Sequence, residues 1–340
     1  MRLQGTGSQL PHAHTVTYPS DLPMTSLARI VMHLGPSFAS RRARLHLKET
    51  LVERHPFFDT SDTCDDSCIL IGGCGRSGTT VLREMLSRHP NIACGPESTI
   101  LCDIPNPKRL AVAWELDEAE IRGRLRSSGS AVKFAEWFFR RYAATQGKPR
   151  WADKTPRNVR VAARLLTQFP NSRFIHVVRD GRDVACSLRN HPVETIRRGR
   201  VVPARNTRRI REVSWRWLLD AGAGAALRGH PRVMEVRYEQ LVSQPEETLR
   251  ALCAFIGEAY DPAMADPARS GKDGQRAVPD LGDGRFANNR RAGERVHTAS
   301  IGRWRRDMTP EERKDFHRIA GSLLIALGYA PDERWVAAGT

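Results

Sequence analysis

The spacing of apolar positions changes period several times along the chain, and each change marks an element. Cys68 to Ile71 is a short unbroken apolar run that ends in glycine. Val81, Leu82, Met85 and Leu86 then recur at helical spacing until His89-Pro90 stops the pattern. The order is strand, glycine loop, helix. A second unit begins at Thr155, a natural N-cap before Pro156 at the first helical position. Ala162, Leu165, Leu166 and Phe169 line one helical face that Pro170 ends, and Phe174–Val178 is a continuously apolar run of the kind buried on both faces of a parallel sheet. A further helix starts near Asp180. Beyond it, "RVMEVRYEQLV" predicts a strand, and "QPEETLRALCAFIG" a helix with Pro245 at its start and Gly257 just past its end. Close to the C-terminus, Thr309 and Glu312 form a capping box before a helix that carries Phe316, Ile319, Leu323 and Leu327 on one face and ends at Gly328.

Strands alternating with helices predict an α/β fold: a P-loop-like parallel β-sheet flanked by helices, joined by right-handed crossovers, in a single domain. Two stretches fall outside this pattern. Residues 1–66 are expected to form a flexible arm followed by an accessory segment, Leu27 to Glu53, with apolar and basic residues at helical spacing. Residues 261–297, rich in Gly, Pro, Asp and Arg and without periodicity, are expected to form a long mobile surface segment. The regular domain therefore spans 67–340.

Charge narrows the choice of partner. Lys+Arg total 54 against 38 Asp+Glu, a formal net charge of +16, which favours an anionic ligand. The basic residues are scattered in pairs, such as Arg208-Arg209 and Arg305-Arg306, without interleaved aromatics, so a nucleic-acid-binding surface is not expected. No apolar run approaches the ~20 residues needed to cross a bilayer, and the polar N-terminus lacks a signal-peptide core. A cytoplasmic protein with no integral membrane segment is expected, and the Ala- and Arg-rich composition suits a bacterial one. Seven cysteines lack paired metal-ligand spacing, so reduced thiols are expected, with a Cys64/Cys68 disulfide or half of a metal site as the alternatives.

The chemistry starts at "GGCGRSGTT". Gly73 and Gly78 have the spacing of a nucleotide triphosphate-binding loop, but Thr79 stands where that loop carries the lysine for the terminal phosphates. A glycine loop between strand and helix still aims backbone N–H groups and the positive end of the helix at one point, so it binds an anion. Here the cation is Arg76, and Ser77, Thr79 and Thr80 add hydroxyls. A sulfuryl group carries a single negative charge, and such a cradle can hold it without a metal. A phosphotransferase of the P-loop kinase type and a non-catalytic nucleotide-binding module remain as alternatives; the first needs magnesium and the missing lysine.

Together, "GRSGTTVLREMLSRHPNIACGPES", "DKTP", "FIHVVRDGRDVACSL" and "VRYEQLV" resemble the sulfotransferases that use 3′-phosphoadenosine 5′-phosphosulfate (PAPS), and most of all the branch of the tyrosylprotein sulfotransferases and their bacterial relatives. The resemblance runs from about Cys68 to Trp304. It implies transfer of the sulfuryl group of PAPS to an acceptor hydroxyl, leaving PAP and a sulfate ester, with no metal.

Several roles follow from that resemblance. The loop Arg76, Ser77, Gly78, Thr79, Thr80 would wrap the 5′-phosphosulfate, and Arg179 and Ser187 would grip the 3′-phosphate. Glu97 would be the base for the acceptor proton, with Arg76 and Lys154 placed for the negative charge on the departing oxygen. Tyr238 would help hold the nucleotide, and Arg303 and Trp304 would close over it. Each also has a plainer reading: Arg179 paired with Asp180 or Asp183, Glu97 an exposed carboxylate, Lys154 a surface lysine, Tyr238 a core tyrosine at a strand edge. Pro96 and Thr99 flank Glu97 where the tyrosylprotein enzymes carry an acidic and a basic residue, which leaves the acceptor open, as is the oligomeric state.

Overall fold

The computed structural model describes residues 55–58, 60–190, 193–197, 200–204, 208–266 and 298–337. The accessory segment Leu27 to Glu53 and most of the expected mobile segment, 267–297, lie outside the described residues.

A sheet of five parallel strands forms the frame. In chain order these are β1 (Ile69–Gly73), β2 (Ile92–Cys94), β3 (Arg150–Lys154), β4 (Arg173–Val178) and, after a separate antiparallel hairpin of β5 (Val193–Arg197) and β6 (Arg200–Ala204), β7 (Val233–Arg237). Their spatial order is β2-β3-β1-β4-β7, so the chain leaves β1 toward one edge, returns, and crosses to the other side. At such a reversal the connections diverge and open a crevice beyond the carboxyl ends of the strands.

The helices follow from capping and stripe. They are α1 (Thr79–Ser87), α2 (Pro107–Trp114), α3 (Glu118–Ser127), α4 (Ala131–Thr145), α5 (Ala162–Gln168), α6 (Gly181–Arg189), α7 (Ile210–Ala225), α8 (Tyr238–Ser243), α9 (Pro245–Ile256), the single turn α10 (Trp304–Asp307) and α11 (Pro310–Ala326). Asn106, Asp117, Ser130 and Asp180 each accept a backbone N–H at a helix start. The capping box of Thr309 and Glu312 forms as expected. Burial on α11 differs from the expected face: Phe316, Ala320 and Leu324 are buried against α6 and α7, while Ile319 and Leu323 are only partly covered.

Three hydrophobic clusters hold the layers together. One, rich in aromatics, joins α4 to the β3 side of the sheet, with Phe139 stacked on Trp151 at 4.7 Å. A second gathers α6, α7 and α11 around Trp217 and Phe316, and a third packs α1 and α9 on the opposite face.

Three expectations are corrected. Thr155 makes no side-chain cap; Pro156–Val161 is a 3₁₀ turn ahead of α5, and the Thr155 hydroxyl is used elsewhere. The end of the stretch 1–66, expected to hold a flexible arm and an accessory segment, is packed against the domain, because Phe58 and Cys64 are buried. The segment expected to be mobile from 261 starts as a 3₁₀ turn capped by Asp261, with Met264 fully buried. All seven cysteines are free and buried, Cys64 and Cys68 included, and burial pushes the Cys64 thiol up to about 11. Among the described residues no helix is long and apolar enough to cross a membrane.

Candidate active site

Parallel strands end on the same side, so residues that follow them meet there. Arg76 comes three residues after β1, Glu97 three after β2, Lys154 ends β3, Arg179 follows β4 directly, and Tyr238 follows β7 directly. Five separate parts of the chain thus end at the carboxyl edge of one sheet.

The loop between β1 and α1 is shaped by glycine. Gly73 sits at φ 153°, and a Cβ there would stand 2.3 Å from the Val177 carbonyl oxygen of the neighbouring strand. Gly78, at φ 96°, faces the Tyr238 ring so closely that a Cβ would lie 2.3 Å from Cδ2. Arg76 itself takes φ 77°, unusual for a residue with a side chain. Thr79 and Thr80 open α1, whose N-terminus has no side-chain cap, leaving its first N–H groups for another partner. Ser77 is 1% exposed, and its hydroxyl finds no hydrogen-bond partner among the described residues.

The cations converge on this loop. The Arg76 Nε donates to the Ser187 hydroxyl of α6 at 3.3 Å, and burial together with the nearby Arg179 pulls the Arg76 guanidinium below its ordinary value. Arg179 donates from Nη1 to the Arg76 carbonyl at 3.2 Å and from Nη2 to the Ser300 carbonyl at 2.7 Å. Its Nε has no partner among the described residues. The guanidinium lies 4.2 Å from the centre of the Tyr238 ring, whose hydroxyl meets that of Ser300 at 2.9 Å. The plainer partners of Arg179 are occupied: Asp180 pairs with Arg182, and Asp183 accepts the backbone N–H groups of Gly302 and Trp304. Tyr238 opens α8 with its ring against the loop at Gly78.

Glu97 and Lys154 form an ion pair of 2.7 Å. Lys154 is 1% exposed and no surface lysine, whereas Glu97 keeps 38% of its side chain accessible while its carboxylate lies against Lys154. Burial by itself would raise the Glu97 pKa; Lys154, by charge and hydrogen bond, and then Arg109 and Arg216, outweigh it and hold the carboxyl below its usual range. The charge of Glu97 also acts on Arg76, which ties the carboxylate to the loop.

Two expected residues fall differently. The charge of Arg303 weighs on Arg76, but its guanidinium is held by Asp307 at 2.6 Å. The Trp304 side chain is buried in the second core cluster, edge-on to Trp335 at 5.6 Å and under the Arg182 guanidinium at 3.9 Å, so it does not join the loop.

Arg109 and Arg216 carry no motif and escaped the sequence reading. Arg216 lies on α7, its Nη2 3.0 Å from where a Cβ on Gly75 would stand, yet nothing in its local spacing announces a site.

A sequence profile of the sulfotransferase family matches residues 68–262, more than half of the 340-residue chain. The chain belongs to the sulfotransferase family. This sulfotransferase is 28% identical to the nodulation protein NoeE of Sinorhizobium fredii (strain NBRC 101917 / NGR234), over 77% of its own length and 65% of that protein's. It is 27% identical to protein-tyrosine sulfotransferase 2 of Gallus gallus, over 77% and 69%. It thus spans about two thirds of the length of these relatives. In fold it is similar to the sulfotransferase domain of the Synechococcus PCC 7002 olefin synthase, with a TM-score of 0.54 at 21% identity, over 78% of this chain and 96% of that one.

Proposed function

We propose that this sulfotransferase moves the sulfuryl group of PAPS to a hydroxyl of an acceptor, releasing PAP and a sulfate ester. The observation that carries the reading is the juxtaposition of a basic, glycine-shaped loop with the Glu97–Lys154 pair at the carboxyl ends of one parallel sheet. The residues present fit such a ligand. The buried Ser77 hydroxyl and the Arg179 Nε lack partners among the described residues, the α1 N-terminus is uncapped, and a side chain at position 78 would displace Tyr238.

PAPS, when bound, supplies a sulfuryl group joined to a phosphate through an anhydride oxygen. The loop N–H groups, Arg76, Ser77, Thr79 and Thr80 bind that anionic end, while Arg179 and Ser187 take the 3′-phosphate, for which a guanidinium fork and a hydroxyl are suited. The Tyr238 ring, 4.2 Å from the Arg179 guanidinium, supports it. Glu97, held ionised by Lys154, accepts the proton of the acceptor hydroxyl. A weak base is enough, because the hydroxyl becomes strongly acidic as its oxygen bonds to sulfur. Arg76 and Lys154 stabilise the negative charge left on the phosphate oxygen when the anhydride bond breaks.

The acceptor is identified by incubating the protein and sulfur-labelled PAPS with a lysate of the source cells. One labelled species with stoichiometric PAP is expected. Glu97→Gln should bind PAPS almost as well as the parent while turnover falls by roughly 10² to 10⁴. No transfer, combined with magnesium-dependent ATP binding tighter than that of PAP, would replace the reading by a phosphotransferase.

A further inference from the structure

Directly before Lys154 in β3 stands Asp153, a carboxylate with no solvent exposure that the chemistry above leaves without a role. Both its oxygens are engaged. Oδ1 accepts from the Ser98 hydroxyl at 2.9 Å and the Thr155 hydroxyl at 3.1 Å, and Oδ2 accepts from Asn158 Nδ2 at 2.8 Å. Those partners reach further. The Thr155 hydroxyl accepts the backbone N–H of Thr99 at 3.3 Å, the Ser98 hydroxyl accepts that of Ile100 at 3.2 Å, and Asn158 Nδ2 lies 3.5 Å from the Ile71 carbonyl of β1.

Glu97 therefore precedes two residues that this network pins. Thr99 takes φ 58°, a left-handed conformation that a threonine adopts only when its surroundings impose it. Successive side chains on a strand point to opposite faces. Asp153 thus holds the backbone after Glu97 from one side of β3, and Lys154 holds the Glu97 carboxylate from the other. A buried carboxylate costs free energy that an apolar residue of similar size does not, and here three donors offset it at the point where β1, β3 and the Glu97 loop meet.

We propose that Asp153 is a positioning residue for catalysis, acting on Glu97 through Ser98 and Thr155 to fix the loop that presents the base. The inference rests on the assignment of Glu97 as base. It requires that loosening the clamp impair turnover only while Glu97 is there to be positioned.

The test is a double-mutant cycle on the full chain, with the acceptor labelled in the lysate assay as substrate. Ser98→Ala, Asp153→Ala and Asp153→Asn are made in the parent and in the Glu97→Gln background, and kcat, PAP affinity and melting are measured for each. Ser98→Ala and Asp153→Ala should lower kcat by roughly 10- to 10²-fold, the scale of a misplaced catalytic group, with PAP affinity within about twofold of the parent. Asp153→Asn should restore most of the activity. Its oxygen still accepts from Ser98 and Thr155, and once the Asn158 amide turns over, Asn158 Oδ1, which has no partner among the described residues, accepts from the new NH2 in place of the bond that Nδ2 gave Oδ2. In the Glu97→Gln background the loss should shrink toward unity. If Asp153→Ala does not fold, Ser98→Ala carries the cycle alone. A loss that persists undiminished without Glu97, or an unchanged kcat for Ser98→Ala, overturns the positioning role and leaves the base in place. Full activity of Glu97→Gln by itself removes the base instead.

Discussion

Arg179→Ala separates a ligand-binding arginine from a structural one. In the structure the guanidinium spends two donors on the carbonyls of Arg76 and Ser300 and rests on the Tyr238 ring, while Nε points at no partner among the described residues. The alanine variant loses those internal bonds with every ligand, so their cost falls equally on all complexes. Only the bond to a 3′-phosphate depends on the ligand. A hydrogen bond to a charged group contributes about 1.5–3 kcal/mol, so PAP should bind roughly 10- to 150-fold more weakly. Adenosine 5′-phosphosulfate, which lacks the 3′-phosphate, should change by no more than about twofold. Calorimetric titration of both ligands at one fixed ionic strength reads the difference directly, since salt screens part of the effect. Equal factors for the two ligands would refute the argument and make Arg179 a strut between the loop and residue 300.

Gly78→Ala forces a methyl to within 2.3 Å of the Tyr238 ring and keeps φ 96° on a residue that disfavours it, so denaturant titration should show a loss of about 1–3 kcal/mol, together with weaker PAP binding. Retained stability would mean that the ring moves aside freely. His176, buried in β4 beside Gly224, has its pKa lowered to about 4 from 6.5 by desolvation. The unfolded chain therefore binds the extra proton first, and stability present above pH 6.5 is lost as pH falls toward 4. The full difference is about 3 kcal/mol, and His176→Leu should flatten that stretch of the stability–pH curve relative to the parent. Because Lys154 holds the Glu97 carboxyl below its usual 4.5, the acid limb of kcat/KM should have its midpoint below that value. A midpoint near neutrality would point to another base.

Much of this architecture was legible because its elements are locally encoded. The glycine loop, the apolar run of β4, the capping box of α11 and the proline and glycine bracketing α9 each rest on residues a few positions apart. Where the determinants lie far apart in the chain, sequence reading failed. β2 has three residues, too short for any period, and β3, Arg-Trp-Ala-Asp-Lys, looks polar although four of its five residues are buried. Thr155 illustrates the same limit. Its spacing to Pro156 suits a cap, but its hydroxyl is taken by Asp153 and by Thr99, 56 residues away, and the turn behind it tightens to a 3₁₀ helix.

The site shows why such residues stay hidden. Arg76, Glu97, Lys154, Arg179 and Tyr238 were all named from motifs, whereas the pairings that fix their chemistry span long stretches of chain: Glu97 to Lys154 over 57 residues, Arg76 to Ser187 over 111, Tyr238 to Ser300 over 62. A motif says which side chain follows a strand. The strand order says which of them meet, and only the order β2-β3-β1-β4-β7 sets β3, with Lys154, between the strand that carries Glu97 and the strand that carries the loop. Moving β3 to the sheet edge would keep every motif intact and separate the cation from both the base and the loop. The proposed catalytic arrangement is therefore a property of the crossover pattern, and substitutions that weaken the junction of β1 and β3 should impair both PAP binding, through the loop that follows β1, and turnover, through Lys154 at the end of β3.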